Sequence, residues 1–196
     1  MEVDDELSWI KHRLNFTVRS DEFNVDDGMR NALVTSHVPI KDVAELLTQD
    51  RILQAIMYFD ERLKGRRVWS SMDFCSSALS PCRWWRCNWT RIIAPAIKKA
   101  KAKQINVAGP FPSDTLYLKV CDGEFDYAVS TLHDQGQIAI KLLAFHKGVT
   151  VHAVLPIPIA TTAQGNAFDI LCTNDAHVVP KLDAFIMVAD MIETHK

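Results

Sequence analysis

The chain has 196 residues, 48% of them hydrophobic and 23% charged, with a formal net charge of −2. That length buries one sizeable core, the balance is ordinary for a globular domain, and so small a charge makes no electrostatic case for nucleic acid as a partner. No apolar run reaches the length of a membrane span, the N-terminus "MEVDDELSWIKHRLN" is too charged for a secretory signal, and five cysteines without metal-finger spacing fit a reducing cytoplasm.

Residues 1–30 lack clear periodicity: "LSWIKHRLNF" offers an amphipathic turn or two, and "RSDEFNVDDGMRN" reads as a polar loop. "ALVTS" is a short apolar strand running into His37, and "KDVAELL" a brief helix. A longer helix follows, with Thr48 as N-cap, Asp50 in its first turn, Ile52, Leu53, Ile56, Met57, Phe59 and Leu63 at helical spacing, and Gly65 at its close. After Pro95, "IIAPAIKKAKAKQ" is helical, its lysines massed at the C-terminal end where the helix dipole favours cations. "INVAG" is a strand, "PFPSD" a turn-rich loop and "YAVST" another strand. "GQIAIKLLAF" is helical or mixed, "VTVHAVLPIPI" extended, and "VPKLDAFIMVADMIETH" a closing amphipathic helix. Strands alternating with helices predict an α/β layer structure with a largely parallel sheet.

Residues 68–91, "VWSSMDFCSSALSPCRWWRCNWTR", depart from this pattern, holding four of the five tryptophans, three of the five cysteines and five serines. Neither period 2 nor period 3.6 runs through them. Cys75, Cys82 and Cys87 have irregular gaps and no histidine among them, which argues against a zinc site, and "CRWWRCNW" is too isolated for a nucleic-acid platform. The segment is expected to be an irregular insertion.

Ligand sites in open parallel sheets form beyond the carboxyl ends of strands. His37 follows "ALVTS", His133 follows "YAVST", and Asp114 stands in the loop after "INVAG". Imidazoles and a carboxylate converging from separate strand ends are what a divalent metal needs. Taken singly, each histidine also fits a hydrogen-bonded structural role. Lys141, two turns into the next helix, can meet a phosphate or carboxylate as a point charge, or be a solvated helix lysine. His12, His146, His152, His177 and His195 have no comparable setting.

"SHVPIKDV" (36–43), "RIIAPAI" (91–97), "GPFPSDTLY" (109–117), "LHDQGQIAIKLLAF" (132–145), "GVTV" (148–151) and "LPIPIATTAQGNAFDI" (155–170) follow one another in an order that resembles the PdxA-type dehydrogenases. These comprise the 4-hydroxythreonine-4-phosphate dehydrogenases and their phospho-threonate and phospho-erythronate relatives. The resemblance implies a three-layer α/β fold like that of isocitrate and isopropylmalate dehydrogenases, and a cytoplasmic homodimer with active sites at the subunit interface. It divides the chain into a poorly matched segment 1–30, a central α/β domain 31–170 interrupted by 68–91, and a return segment and helix 171–196. The implied chemistry is NAD-dependent oxidation, with decarboxylation, of a phosphorylated four-carbon hydroxy acid. A divalent metal (zinc, magnesium, manganese or cobalt), held by three histidines drawn from both subunits, binds the substrate. His37 and His133 fall on two of those histidines, Asp114 and Asp134 on acidic positions near metal and substrate, and Lys141 on a lysine that meets the phosphate. Gln164, Gly165, Asn166 and Asp169 fall in the cofactor region. Thr150 and Ile159, where the vitamin B6 branch carries asparagine and arginine, lean toward the phospho-threonate/erythronate branch.

The chain also departs from the family pattern. The third histidine belongs to a block such as "GLNPHAGE" that should stand where 68–91 stands, and no histidine occurs there. The abrupt composition change suggests an out-of-frame stretch bounded by compensating shifts, which translation of the underlying nucleotides in the other frames would test. About 35 residues precede "SHVPIKDV", so most of one domain of a two-domain parent is expected to be missing. Gln164, Asn166 and Cys172 replace a histidine, a threonine and a glycine in the cofactor region. The alternative function is therefore a catalytically inactive fragment that dimerises or mediates an interaction.

Overall fold

The computed structural model describes residues 6–17, 22–26, 28–63, 74–78, 89–152, 155–165, 173 and 179–193. Helix α1 (Glu6–Arg13) leads to strands β1 (Glu22–Val25) and β2 (Arg30–Leu33), then to helices α2 (Ile40–Leu46) and α3 (Gln49–Leu63). Strand β3 (Phe74–Ala78) follows. A wide π-type turn over Trp89–Ile93 then runs without a break into α4 (Ala94–Ala102); Pro95 has no N–H to give back to that turn, and the Arg91 carbonyl four residues earlier accepts from Gln49 Nε2 at 2.9 Å. The rest alternates: β4 (Val107–Pro112), α5 (Ser113–Cys121), β5 (Tyr127–Ser130), α6 (His133–Ala144), β6 (Val149–His152), β7 (Ile159–Thr162) and α7 (Val179–Glu193).

All seven strands form one sheet in the order β4-β3-β5-β2-β1-β6-β7. Strands β4, β3, β5 and β2 are mutually parallel, with Ala32 opposite Val129 and Phe74 opposite both Val107 and Tyr127. From β2 onward the pairing turns antiparallel: Phe23 faces Ala32 on one side and Val151 on the other, and β6 pairs β7 through Val151 and Ala160. The sheet is thus half parallel and half antiparallel rather than largely parallel, and β1 makes two of the three antiparallel pairings. Its residues lie in the stretch that reads as a polar loop, because Glu22 and Asn24 are polar; both are nevertheless buried. A second correction concerns residues 68–91. The insertion is not irregular throughout, since Phe74–Ala78 takes the place between β4 and β5 and pairs with each. A third is α5: the turn residues of "PFPSD" end in its first turn, and Leu116 and Val120 bury the face that they share at i, i+4.

Helices cover both faces, giving three layers. Alternate strand residues separate the two cores, as the pleat requires. Phe23, Ala32, Tyr127, Val129, Val149 and Val151 meet α3 and α4 through Ile52, Ile56, Phe59 and Ile97. Ala128 meets α5 and α6 on the other face, with Leu116, Val120, Ile140 and Ala144. Helix α3 forms as its periodicity predicts, and Thr48 Oγ1 accepts the Arg51 backbone N–H at 3.2 Å, as an N-cap does. Ile56 on this helix is fully buried. Ile56→Ala is expected to cost about 3 kcal/mol, the sum of lost transfer energy and an unfilled cavity, measurable as a lowered denaturant midpoint. Among the described residues no helix is long and apolar enough to cross a membrane.

Candidate active site

Topology brings the two sequence-predicted histidines together. β2 and β5 are parallel neighbours ending at the paired residues Leu33 and Ser130. The histidines follow these ends after short loops, His37 four residues on and His133 three. The loops are stapled to each other: Thr35 Oγ1 donates to the Thr131 carbonyl at 2.7 Å, and the Val34 N–H reaches the Ser130 carbonyl at 2.8 Å. As a result the two imidazole centroids lie 5.0 Å apart, with 46° between the ring planes. Both belong to one chain, so the pair needs no second subunit to form. His37 has a φ of 53°, in the left-handed region that costs a non-glycine residue about 1 kcal/mol or more. Such strain is held in place by its surroundings, here the stapled loop.

A third group stands with them that sequence reasoning missed. Because β1 runs antiparallel to β2, its first residue lies beside the end of β2, and that residue is Glu22. Donor atoms of Glu22, His37 and His133 all lie within 4.8 Å of one another. Ser36 Oγ donates to Glu22 Oε2 at 2.9 Å, and His37 Nε2 is 3.6 Å from Oε1. The signal that could have found Glu22 is the alternation of "EFNV", with Phe23 and Val25 on one face and Glu22 and Asn24 on the other.

Asp134 pairs with its neighbour, its Oδ1 lying 2.8 Å from His133 Nδ1. A carboxylate on Nδ1 fixes the ring's tautomer and leaves Nε2 as the free donor. Two imidazoles and a carboxylate at this spacing match the donor chemistry of a divalent cation of the zinc type.

Helix α6 carries both His133 and Lys141, eight residues apart, so their backbones are about 12 Å apart along the axis. Lys141 Nζ lies 3.6 Å from the point where Gly165 would carry a Cβ, and Gly165 has a φ of +77°, which glycine adopts without strain. The ammonium therefore meets the described edge of the sequence-predicted cofactor region. Gln164 Nε2 donates to the Phe145 carbonyl at 3.0 Å, closing the loop after β7 onto the end of α6. Asn166, Asp169 and Cys172 lie outside the described residues. Asp114 is exposed near the start of α5 and is not in the histidine cluster. With β3 between β4 and β5, two strand spacings, roughly 10 Å, separate its strand end from that of β5. Within one chain Asp114 thus stands apart from the two imidazoles, whereas the expected sharing of one ion is across a two-fold pair of chains.

A buried polar seam lies beneath the N-terminal half of α6. Asn24 Oδ1 accepts from Thr150 Oγ1 at 2.9 Å and from Gln137 Nε2 at 3.3 Å. The Ser130 hydroxyl donates to Asn31 Oδ1, and Tyr117 pairs with Ser130 at 2.6 Å. Thr150, read from sequence as a substrate discriminator, is thus committed to the seam. The Cys121 thiol is pushed up from its ordinary pKa by burial and then by Asp122, so it is not poised as a nucleophile.

A mixed sheet with helices on both faces, and imidazoles and carboxylates gathered at strand ends, make this a three-layer α/β protein with a candidate ion site at the sheet edge. Residues 1–188 match the family described as "Pyridoxal phosphate biosynthetic protein PdxA", and the chain belongs to that family. It is 42% identical over 198 residues to a Pseudomonas aeruginosa protein named "Putative 4-hydroxythreonine-4-phosphate dehydrogenase 2", a match covering 97% of this chain and 58% of the relative. It is 32% identical over 154 residues to the D-threonate 4-phosphate dehydrogenase of Pectobacterium atrosepticum, covering 76% of this chain and 47% of that protein. The crystal structure of 4-hydroxythreonine-4-phosphate dehydrogenase from Klebsiella pneumoniae superposes with a TM-score of 0.80 at 25% identity, covering 95% of this chain and 57% of that one. These relatives are dehydrogenases by name. The chain spans somewhat more than half the length of the relatives that it matches most fully.

Proposed function

We propose that the protein works as an NAD-dependent, divalent-metal-assisted dehydrogenase. Its substrate is a phosphorylated four-carbon hydroxy acid, such as 4-phospho-threonate, 4-phospho-erythronate or 4-hydroxythreonine 4-phosphate. The observation that carries this reading is the approach of His37 and His133 to 5.0 Å at adjoining strand ends. Zinc, magnesium, manganese or cobalt held there would act as a Lewis acid on the substrate hydroxyl, easing its deprotonation and the later loss of carbon dioxide. His37 and His133 bind the ion, and Asp134 holds the His133 ring in the donating tautomer. Lys141 receives the phosphate as a point charge, about two turns of helix beyond His133. Asp114, apart from the imidazoles, is assigned to the substrate rather than to the ion. Gln164, Gly165, Asn166 and Asp169 are assigned to the nicotinamide cofactor.

A homodimer in the cytoplasm completes the proposal. It is supported by apolar side chains that α7 leaves exposed at helical spacing, Leu182, Phe185 and Ile186, and by Leu142 and Phe145 at the end of α6. The absence of histidine from residues 68–91 favours a second reading, a non-catalytic dimerising fragment. One assay separates the two. The purified chain, supplied with zinc, cobalt or magnesium and NAD, is expected to form NADH with at least one of the three phospho-acids and to lose that activity with a chelator. A dimer that forms no NADH with any of them would establish the fragment reading instead.

A further inference from the structure

The resemblance implies a third histidine for the ion, and the segment where it should stand has none. Glu22 occupies the space beside the two that remain. Its side chain is only 7% exposed, and a buried carboxylate is costly unless charge or hydrogen bonds compensate it. Among the described residues its partners are Ser36 Oγ at 2.9 Å on Oε2 and His37 Nε2 at 3.6 Å from Oε1. The second distance is too long for a charge-assisted hydrogen bond, which closes to about 2.8 Å. It is close to the separation of two donors on one tetrahedral zinc-type ion, about 3.4 Å for metal–ligand bonds of about 2.1 Å. The His133 donor lies within 4.8 Å of both.

We propose that Glu22 is itself a ligand, completing a two-histidine, one-carboxylate set within a single chain and taking the position of the absent imidazole. The inference rests on the ion-binding reading above and adds a residue to it. Antiparallel pairing explains how: β1 starts where β2 ends, so the carboxylate is delivered to the same sheet edge as the imidazoles. A carboxylate also leaves the cation with one positive charge less than a third neutral imidazole would. The site then favours harder ions relative to a three-histidine set.

Zinc chloride titration by calorimetry, with cobalt absorption as a second readout, tests the assignment on the full chain. Glu22→Gln preserves shape and can still accept from Ser36, but removes the anionic donor; it is expected to weaken zinc binding about 10- to 100-fold. Ser36→Ala removes the loop hydrogen bond and leaves the donors alone, and is expected to stay within about threefold of the parent. The melting temperature without metal should hold for both variants, while the rise produced by zinc should shrink in Glu22→Gln alone. If Glu22→Gln fails to fold, Glu22→Asp keeps the charge but withdraws the carboxylate by one methylene, and it should also bind zinc more weakly. Parental zinc affinity in whichever of the two folds, alongside loss in His37→Ala, overturns the role of Glu22 and keeps the ion site. A parent chain that binds neither zinc nor cobalt overturns both.

Discussion

His133→Ala is expected to weaken zinc binding at least about 100-fold and to abolish metal-dependent NADH formation, while leaving the fold nearly as stable as before. The physical basis is that few donors are available. A carboxylate and two imidazoles gather within 4.8 Å, and deleting one leaves two protein ligands for an ion that structural and catalytic sites hold with three or four. The imidazole sits at the start of α6, about a quarter exposed, where truncation leaves no large cavity and costs of order 0.5 kcal/mol. Asp134→Asn should give a smaller loss, about tenfold, because it removes only the group that fixes the ring. Calorimetric titration with zinc reads both. Undiminished affinity in His133→Ala would end the ion-site reading.

Gly136→Ala is expected to destabilise the protein by about 3 kcal/mol, the range of clashes that a packed core cannot relieve. A Cβ at Gly136 would stand 1.9 Å from Asn31 Nδ2, 2.9 Å from Asn31 Cγ and 2.8 Å from Leu33 Cδ2. Neither neighbour can swing aside, because Asn31 is fully buried and held by Ser130, and Leu33 is 2% exposed. Helix α6 must therefore lift from β2, and His133, three residues earlier on the same helix, must move with it. Two readouts follow: a lower denaturant midpoint with unchanged slope, and a zinc affinity that falls although no ligand was altered. Unchanged stability would mean that α6 does not pack on β2 this closely.

Helix α3, strand β5 and the two histidines could be read from local pattern, because periodicity, a cap and a position after an apolar run are all local signals. Strand β1 was obscured, since its four residues put Glu22 and Asn24 on a face where the core itself is polar, and only the short alternation with Phe23 and Val25 marked it. β3 is likewise hidden: its cysteine and serines carry no strand pattern, and parallel ladders on both sides hold it. Helix α5 was masked by the prolines just before it, although Leu116 and Val120 marked its buried face. Nothing in local sequence states strand order, so the interposition of β3 between the strands that lead to Asp114 and to His133 could not be read from it.

The junction at β2, where parallel pairing gives way to antiparallel, also imposes a timetable on assembly. β1 and β2 can zip together as soon as their short connection turns, but Ala32 and Val129 must meet across almost half the chain. The carboxylate and the first imidazole are thus in register early, whereas the second arrives only when that wide loop closes. During refolding, capture of a cation should accordingly wait for the docking of β5 against β2.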